Sequence, residues 1–166
     1  MDIATVEIRE ATAEDWPHIW AFLREVFAQG RTYAVDREIG EDAARALWMP
    51  PLPWRTVVAV DGGRVVGSAK YGPNRDGPGA HVANASFAVD AAAAGRGTGR
   101  ALGTHVLDRA REQGFDAMVF NAVVQANTRA VGLWRSLGFD VVGTVPEAFR
   151  LPDGTVTGIH VMHRRL

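Results

Sequence analysis

The sequence predicts a single α/β (α+β) domain with a mixed central sheet of six to seven strands, flanked by about four helices. The chain has 166 residues, close to the usual size of one domain. In its C-terminal half, segments with strand periodicity alternate with helical segments, an order that favours right-handed crossovers and parallel pairing in the middle of the sheet. No repeat, low-complexity tract or linker interrupts residues 1–166, so we predict one domain.

The N-terminal half predicts a strand, two helices and a hairpin. Apolar and charged residues alternate over residues 5–10, and Thr12 followed by Asp15 is typical of a helix N-terminus. A second helix is predicted over residues 37–48, where a run of prolines closes it. An Asp-Gly-Gly turn at residues 61–63 then joins two β-branched runs, which indicates a hairpin.

The C-terminal half predicts a strand and a glycine-rich loop, followed by alternating helices and strands. Both of its helices end in a glycine followed by a phenylalanine, at residues 114–115 and 138–139, as is typical of a left-handed C-terminal glycine. The predicted elements are strand 81–89, loop 94–99, helix 100–114, strand 115–123, helix 127–138, strand 139–145 and a last strand after a turn at residues 153–154.

Composition and charge exclude several classes of function. Because the chain has no cysteine, it has no disulfide, thiolate metal site or cysteine nucleophile. A net charge of −1 gives no general attraction for nucleic acid, and no segment approaches the ~18 consecutive apolar residues of a membrane span. The N-terminus lacks the basic and apolar regions of a secretory signal. We expect a cytoplasmic protein with no nucleic-acid or membrane partner, and no metal, since the scattered histidines lack ligand spacing.

A glycine-rich loop at residues 94–99 predicts an anion site. Gly95, Gly97 and Gly99 lie between a strand and a helix start, where free backbone N–H groups and the helix dipole attract phosphate. One alternative is that the glycines only permit a tight turn. Another is a dinucleotide fold with Gly103 as its third glycine, but the next strand ends without the acidic residue that would hold a ribose hydroxyl.

The order of elements and two motifs resemble the GNAT superfamily of acetyltransferases over nearly the whole chain. In that family a loop of pattern Q/R-x-x-G-x-G/A holds the pyrophosphate of acetyl-CoA on backbone amides, and residues 94–99 match it, with Ala94 in place of Gln or Arg. A second family motif is an Asn followed by a helix ending in LYEKLGF or a similar run. It corresponds to Asn127 and the run LWRSLGF.

This resemblance implies that the strands on either side of the loop and its helix splay apart and leave a V-shaped slot for the pantetheine arm. The Val89 N–H would lie near the thioester carbonyl and stabilise the oxyanion of the tetrahedral intermediate. The residues that the resemblance assigns to acetyl-CoA are Phe87, Ala88 and Val89 on the strand, Ala94, Gly95, Arg96, Gly97, Thr98, Gly99 and Arg100 at the loop, and Asn127, Ala130 and Trp134 at the second motif.

Two asparagines in the predicted slot are candidates for the catalytic and acceptor site. Asn84 lies in a strand of small residues and Asn121 interrupts an apolar strand, so each amide must find hydrogen-bond partners. Either both bond to backbone or to each other across the sheet, or both point into the slot, where they orient the acceptor and support the oxyanion. With Asn127, which fits a helix N-cap equally well, they resemble bacterial relatives of the yeast proline-analogue (azetidine-2-carboxylate) acetyltransferase. This resemblance implies a small amino acid or imino acid as acceptor.

These observations predict an N-acetyltransferase that moves the acetyl group of acetyl-CoA to a small-molecule amine by direct attack in a ternary complex. Either a water chain or one of the carboxylates of Asp36, Glu38 and Glu147 would take the proton of the amine. Family resemblance further implies that Arg31 and Tyr33 border the acceptor, that Glu147 forms a second wall, and that the protein is a homodimer.

Trp134 takes a position that is a tyrosine in many family members. An indole cannot return a proton to the departing CoA thiolate, and the two tyrosines of the chain both lie outside the C-terminal motifs. We therefore expect that proton return is not the main contribution of the protein. The alternative function is a catalytically weak acetyl-CoA-binding sensor or interaction module.

Overall fold

The computed structural model describes residues 5–166, so the first four residues of the predicted domain lie outside the described part. Seven strands form one sheet in the order β1-β2-β3-β4-β5-β7-β6, in which β4 and β5 are parallel and the other neighbours are antiparallel. This mixed sheet and its four helices confirm the predicted fold class. The strands are β1 Glu7–Glu10, β2 Arg55–Asp61, β3 Arg64–Pro73, β4 Val82–Val89, β5 Ala117–Val124, β6 Asp140–Arg150 and β7 Val156–Arg165; the helices are α1 Trp16–Gln29, α2 Glu41–Trp48, α3 Thr98–Glu112 and α4 Thr128–Ser136.

Apolar side chains form two cores, one on each face of the sheet. Successive residues of a strand point to opposite faces, and accordingly Val57 belongs to the core under α3 and α4 while Val58 belongs to the core under α1 and α2. The strand β4 alternates in the same way, because Ala83 and Ala85 pack in the first core and Ala88 in the second. The sheet is therefore covered by helices on both faces.

The parallel strands β4 and β5 separate soon after they begin. Their pairing covers only Val82–Asn84 against Ala117–Val119, although each strand has eight residues. From Ala85 onward the edge of β4 that faces β5 has no strand partner within residues 5–166. The predicted splay is therefore confirmed, and it opens a slot in the middle of the sheet.

The second helix is shorter than the sequence predicts. Residues 36–39 form a turn, in which the Ile39 N–H donates to the Asp36 carbonyl at 3.1 Å and the Glu38 N–H donates to the Asp36 carboxylate at 2.9 Å. Asp side chains that bond to their own backbone in this way compete with helix formation. The helix begins only at Glu41, after Gly40 in extended conformation.

The apolar stripe of α4 differs by one residue from the predicted stripe. The sequence places Ala126, Ala130, Leu133, Trp134 and Leu137 on one face. In the structure Ala126 is exposed and precedes the helix, whereas Val131 is buried beside Trp134. The stripe therefore begins at Ala130 inside the helix and includes Val131.

Candidate active site

The slot between β4 and β5 opens into a cavity of about 490 Å³ that we call the acceptor cavity. Backbone and side chains of the splayed strands form its floor, and the segment between α1 and α2 covers one side. Its lining comprises Val26, Phe27, Gln29, Thr32, Tyr33, Ala34, Val35, Leu47, Trp48, Lys70, Asn84, Ala85, Ser86, Phe87, Ala88, Val89, Phe120, Asn121, Ala122, Val123, Val124, Asn127, Ala130 and Trp134.

Tyr33 occupies the unpaired edge of β4. Its hydroxyl accepts a hydrogen bond from the Phe87 N–H at 2.9 Å and donates one to the Phe87 carbonyl at 2.5 Å. The Asp90 N–H donates to β3. Because the N–H groups of successive strand residues point to opposite sides of the strand, those of Phe87 and Val89 point toward β5. Burial of the hydroxyl raises the pKa of Tyr33 above its usual range, so the phenol stays protonated. The hydroxyl therefore fills a place that a strand or a ligand would otherwise take.

The two candidate asparagines have different surroundings. The Asn84 amide donates to the Val119 carbonyl at 2.9 Å, where the pairing of β4 and β5 ends. The Asn121 amide donates to the Asn74 side chain at 2.6 Å and is solvent-exposed. Both residues line the acceptor cavity. Asn84 therefore makes a hydrogen bond to backbone, one of the two alternatives that the sequence allows. Its side-chain oxygen accepts no hydrogen bond from the described residues.

Trp134 is part of an aromatic cluster below the slot. Its ring centroid lies 4.7 Å from that of Phe87 and 4.8 Å from that of Phe120, and the side chain is 8% exposed. The indole lines the acceptor cavity, and its N–H donates to no acceptor among residues 5–166. The residue therefore supports the floor of the slot.

A second cavity, of about 450 Å³, lies at the glycine-rich loop, and we call it the loop cavity. Gly95 and Gly97 have φ angles of +78° and +83°, a conformation that side chains other than glycine rarely adopt. In the described chain, the N–H groups of residues 95–100 meet no hydrogen-bond acceptor. Since α3 begins at Thr98, these donors and the helix N-terminus together favour an anion.

Three arginines surround the loop in different ways. Arg100 and Arg129 line the loop cavity, and Arg100 also donates to the Ser136 hydroxyl at 2.9 Å. Arg96 instead forms an ion pair with Asp61 at 3.2 Å and does not line the cavity. Arg129 was not among the residues predicted to bind acetyl-CoA. Its place two residues after Asn127 is a usable signal, because a residue in the first turn of α4 lies near the loop.

Gly103 has a structural explanation. A Cβ atom at this position would lie 2.8 Å from Leu137 and 3.2 Å from Trp134. The glycine thus lets α3 approach α4 closely, and it takes no part in the loop cavity. The third glycine of the dinucleotide alternative is therefore explained by helix packing.

The two cavities are neighbours in one continuous slot. Val89, Asn127 and Ala130 line both of them, and Asn127 also caps α4 through a hydrogen bond that its side chain accepts from the Ala130 N–H at 3.3 Å. A long ligand with an anionic end therefore fits with that end on the loop and the remainder along β4. Acetyl-CoA has this shape and charge distribution.

Some predicted acceptor residues lie outside the acceptor cavity. Arg31 and Glu147 do not line it; Glu147 is exposed in an irregular stretch of β6, with a φ angle of +52°. Asp36 and Glu38 are also exposed and absent from the lining. Of the described residues that line the cavity, none is acidic.

Comparison with known proteins agrees with the slot geometry. Residues 7–139 match the Acetyltransferase (GNAT) family. The chain is 34% identical over 149 residues to an L-methionine sulfoximine/L-methionine sulfone acetyltransferase of Pseudomonas aeruginosa, a match that covers 86% of this chain and 85% of the relative. The chain belongs to the GNAT family and is an acetyl-CoA-dependent N-acetyltransferase.

Two solved structures support the same assignment. A GCN5-related N-acetyltransferase from Kribbella flavida has a TM-score of 0.93 and 56% identity, with 97% of this chain and 98% of that chain covered. A phosphinothricin acetyltransferase from Sinorhizobium meliloti, solved in complex with AcCoA, has a TM-score of 0.86 and 26% identity, with 98% and 89% covered. Acetyl-CoA is therefore the acetyl donor.

Two other kinds of feature are absent from residues 5–166. No described helix is long and apolar enough to cross a membrane. The same residues contain no group of three or more His, Cys, Asp or Glu side chains arranged to hold a metal ion.

Proposed function

We propose that the protein acetylates the amine of a small amino acid or imino acid, proline analogues included, by direct attack in a ternary complex. The observation that carries this proposal is the acceptor cavity, which adjoins the unpaired edge of β4, has four amide side chains among its described lining residues, Asn84 and Asn121 included, and has room for a small molecule. The substrate named for the 34% identical relative is itself an amino acid derivative, which supports the same class of acceptor.

The proposed reaction uses the β4 edge as an oxyanion site. The nitrogen of the neutral amine attacks the thioester carbon, the carbonyl oxygen gains charge, and the C–S bond then breaks to release CoA as a thiolate. The inward N–H groups of Phe87 and Val89 would stabilise the developing charge, at about 3 kcal/mol for a well-placed donor. Since the Phe87 N–H donates to the Tyr33 hydroxyl, that hydroxyl must move if the oxyanion is to use the same N–H.

We further propose that water takes the proton of the amine. An amine that is mostly protonated at neutral pH has to lose a proton before it attacks. The described lining of the acceptor cavity contains no Asp, Glu or His, so no side chain there is suited to act as base. The carboxylates of Asp36, Glu38 and Glu147 would need a water chain to reach the cavity.

The roles of the asparagines follow from their contacts. Asn84 would keep the vertex of the splay in place through its bond to Val119, while its side-chain oxygen accepts a hydrogen bond from the acceptor amine. Asn121 would contact the acceptor from the opposite strand. Asn127, Arg100 and the loop residues would hold acetyl-CoA.

A thiol-release assay with acetyl-CoA and a panel of acceptors tests this function. The panel should contain methionine sulfone, proline, azetidine-2-carboxylate and an aminoglycoside, and we expect turnover only with the amino and imino acids. The double variant Asn84→Ala/Asn121→Ala should lose at least about 100-fold in kcat/KM, about 3 kcal/mol, while acetyl-CoA still binds. Asn74→Ala is the matched control, because it removes the partner of Asn121 without changing the cavity lining. Unchanged turnover in the double variant would refute the site assignment.

The alternative is an acetyl-CoA-binding sensor or interaction module without effective catalysis. It is favoured by the tryptophan at position 134 and by the lack of an acid in the described cavity lining. Tight binding of acetyl-CoA in calorimetry, together with no acetylation of any acceptor on the panel, would support this alternative against the proposed reaction.

The oligomeric state and the location of the protein stay predictions. A homodimer is supported by the long edge strand β6, because exposed edges are prone to pair, and by the exposed side chains of Val142, Val145 and Val156 near it, which are 61%, 55% and 39% exposed. Light scattering during size-exclusion chromatography tests the dimer, and cell fractionation tests the cytoplasmic location.

A further inference from the structure

Lys70 has a distinctive place in the chain. It is the only lysine in the sequence, and among the described residues that line the acceptor cavity it is the only one with a formal charge at neutral pH. It lies on β3 opposite Ser86 of β4, so the two side chains project from the same face of the sheet. A single cation therefore lies beside the polar positions Ser86 and Asn84.

The contacts of Lys70 hold the ammonium group without neutralising it. The Nζ atom donates to the Leu47 carbonyl at 2.6 Å and lies 5.1 Å from the centroid of the Trp54 ring. No described carboxylate lies within 4.0 Å of it. Burial lowers the pKa of Lys70 below its usual value, as expected for a cation that is partly removed from water without a counter-charge.

An ammonium group has three donors, and the Leu47 carbonyl takes one of them. The side chain is half-buried, where a charge interacts more strongly with a partner than it does in bulk water. A carboxylate that enters the cavity would supply both the missing counter-charge and an acceptor for the remaining donors.

We propose that Lys70 binds the carboxylate of the acceptor and so restricts the enzyme to amines that carry an acidic group, that is, to amino and imino acids. This inference rests on the proposed function and deepens it. Lys70 is thus a specificity-determining residue, and the same charge disfavours acceptors with additional positive charges. Arg31, the cation that the family resemblance places at the border of the acceptor, does not line the cavity.

A purely structural role for Lys70 is the competing explanation. Leu47 is in the last turn of α2, where a cation stabilises the helix C-terminus, and the Nζ atom lies over the Trp54 ring, where a cation–π interaction adds to stability. A structural role predicts lower stability and a uniform loss of activity. A carboxylate-binding role predicts a loss that depends on the charge of the acceptor.

The test compares each acid with its neutral amide. Methionine sulfone and proline are assayed beside their carboxamides, with wild type, Lys70→Met and Lys70→Arg. We expect wild type to prefer the acids by at least about 30-fold in kcat/KM, and Lys70→Met to lose this preference through a higher KM for the acids, with little change for the amides. Lys70→Arg should keep part of the preference. Arg24→Met changes an exposed residue of α1 and is the control, which should keep the full preference. An equal loss for acids and amides, or a loss of preference in Arg31→Met but not in Lys70→Met, would overturn the proposal.

A second measurement uses the wild-type side chain and needs no turnover. Because the chain has one lysine, reductive ¹³C-methylation labels only Lys70 and the α-amino group, and methylation keeps the charge. Titration of the labelled protein–CoA complex with methionine sulfone should shift the Lys70 resonance, whereas the carboxamide should not. An unmoved resonance at saturating acid refutes the role of Lys70. If no acceptor on the panel is acetylated but the acid still shifts the resonance, the proposed function fails while the carboxylate site stands.

Discussion

The loop cavity and the acceptor cavity are built in opposite ways. The anion donors of the loop cavity come from one contiguous stretch, the backbone N–H groups of residues 95–100, in a conformation that two glycines permit. The acceptor cavity takes its side chains from several separate segments and carries one cation. Backbone recognition tolerates side-chain changes such as Ala94, whereas a single substitution in the acceptor cavity can change the substrate.

The largest expected effect on acetyl-CoA binding comes from breaking the backbone conformation of the loop. Gly97→Ala places a side chain at a φ angle of +83° with no atom in its way, so its cost is conformational, about 2 kcal/mol or about 30-fold in acetyl-CoA affinity. Calorimetry with acetyl-CoA measures it. Gly114→Ala is the matched control, with φ +86° and equal space, at the end of α3. If both variants weaken acetyl-CoA equally, the backbone of the loop is not the anion site.

Neither cavity accounts for loss of stability in acid, since the described lining of both lacks acidic residues. We expect the buried Asp15 to make the protein less stable in acid. The bidentate hydrogen bond from Arg9 and the bond from the Thr12 N–H hold the pKa of Asp15 at about 2. A carboxyl group whose pKa is lower in the folded protein stabilises the fold at pH values above its unfolded pKa of about 4. That stabilisation is lost as the pH falls toward 2.

We expect Asp15→Asn to reduce the free energy of unfolding at pH 7 by about 1.5 kcal/mol and to flatten its dependence on pH between about 4 and 2. Urea unfolding at a series of pH values measures both effects. Asp108→Asn removes an exposed helix pair with Arg111 and should change stability by less than about 0.5 kcal/mol. A pH dependence that survives in Asp15→Asn would assign the acid sensitivity to other groups.

A smaller effect on acetyl-CoA affinity is expected at Tyr33, where the acceptor cavity adjoins the proposed thioester position. Tyr33→Phe removes the hydroxyl that bonds to the Phe87 N–H and carbonyl, so a thioester that uses this N–H no longer has to displace it. We expect acetyl-CoA to bind about fivefold more tightly, corresponding to about 1 kcal/mol, and the ligand-free protein to lose a similar amount of stability.

Tyr71→Phe is the control for this prediction, because Tyr71 is buried and its hydroxyl accepts a bond from Gln113 away from the slot. Weaker binding of acetyl-CoA to Tyr33→Phe would mean that the hydroxyl contributes to the bound state instead of competing with it.

The smallest expected effect concerns the aromatic floor that lies near both cavities. Trp134→Phe keeps an aromatic ring against Phe87 and Phe120 and removes the indole N–H. We expect kcat to stay within about threefold, less than about 0.7 kcal/mol, at some cost in thermal stability because a smaller side chain leaves a void. A loss of kcat above tenfold with unchanged KM would show that the indole N–H takes part in the reaction.

The two ends of the slot also differ in how well they could be predicted. The loop and Asn127 form local motifs, and the structure places their residues around one cavity, except that Arg96 turns away to Asp61. Lys70 gave no signal, because a lone lysine in a strand is indistinguishable from a solvated surface residue until its neighbours are known. Likewise, nothing in the local sequence indicates that Tyr33 bonds to a strand 54 residues away.

What the sequence determined by itself is the order of strands and helices, the glycine conformations of the loop and the caps of the helices. Each depends on residues that are neighbours along the chain, so short-range sterics and hydrogen bonds decide them. Only the tertiary structure decided where the β4–β5 pairing ends, which hydroxyl fills the open edge and which cation faces the acceptor cavity. Those features join distant segments, and their geometry depends on how helices and sheet pack together.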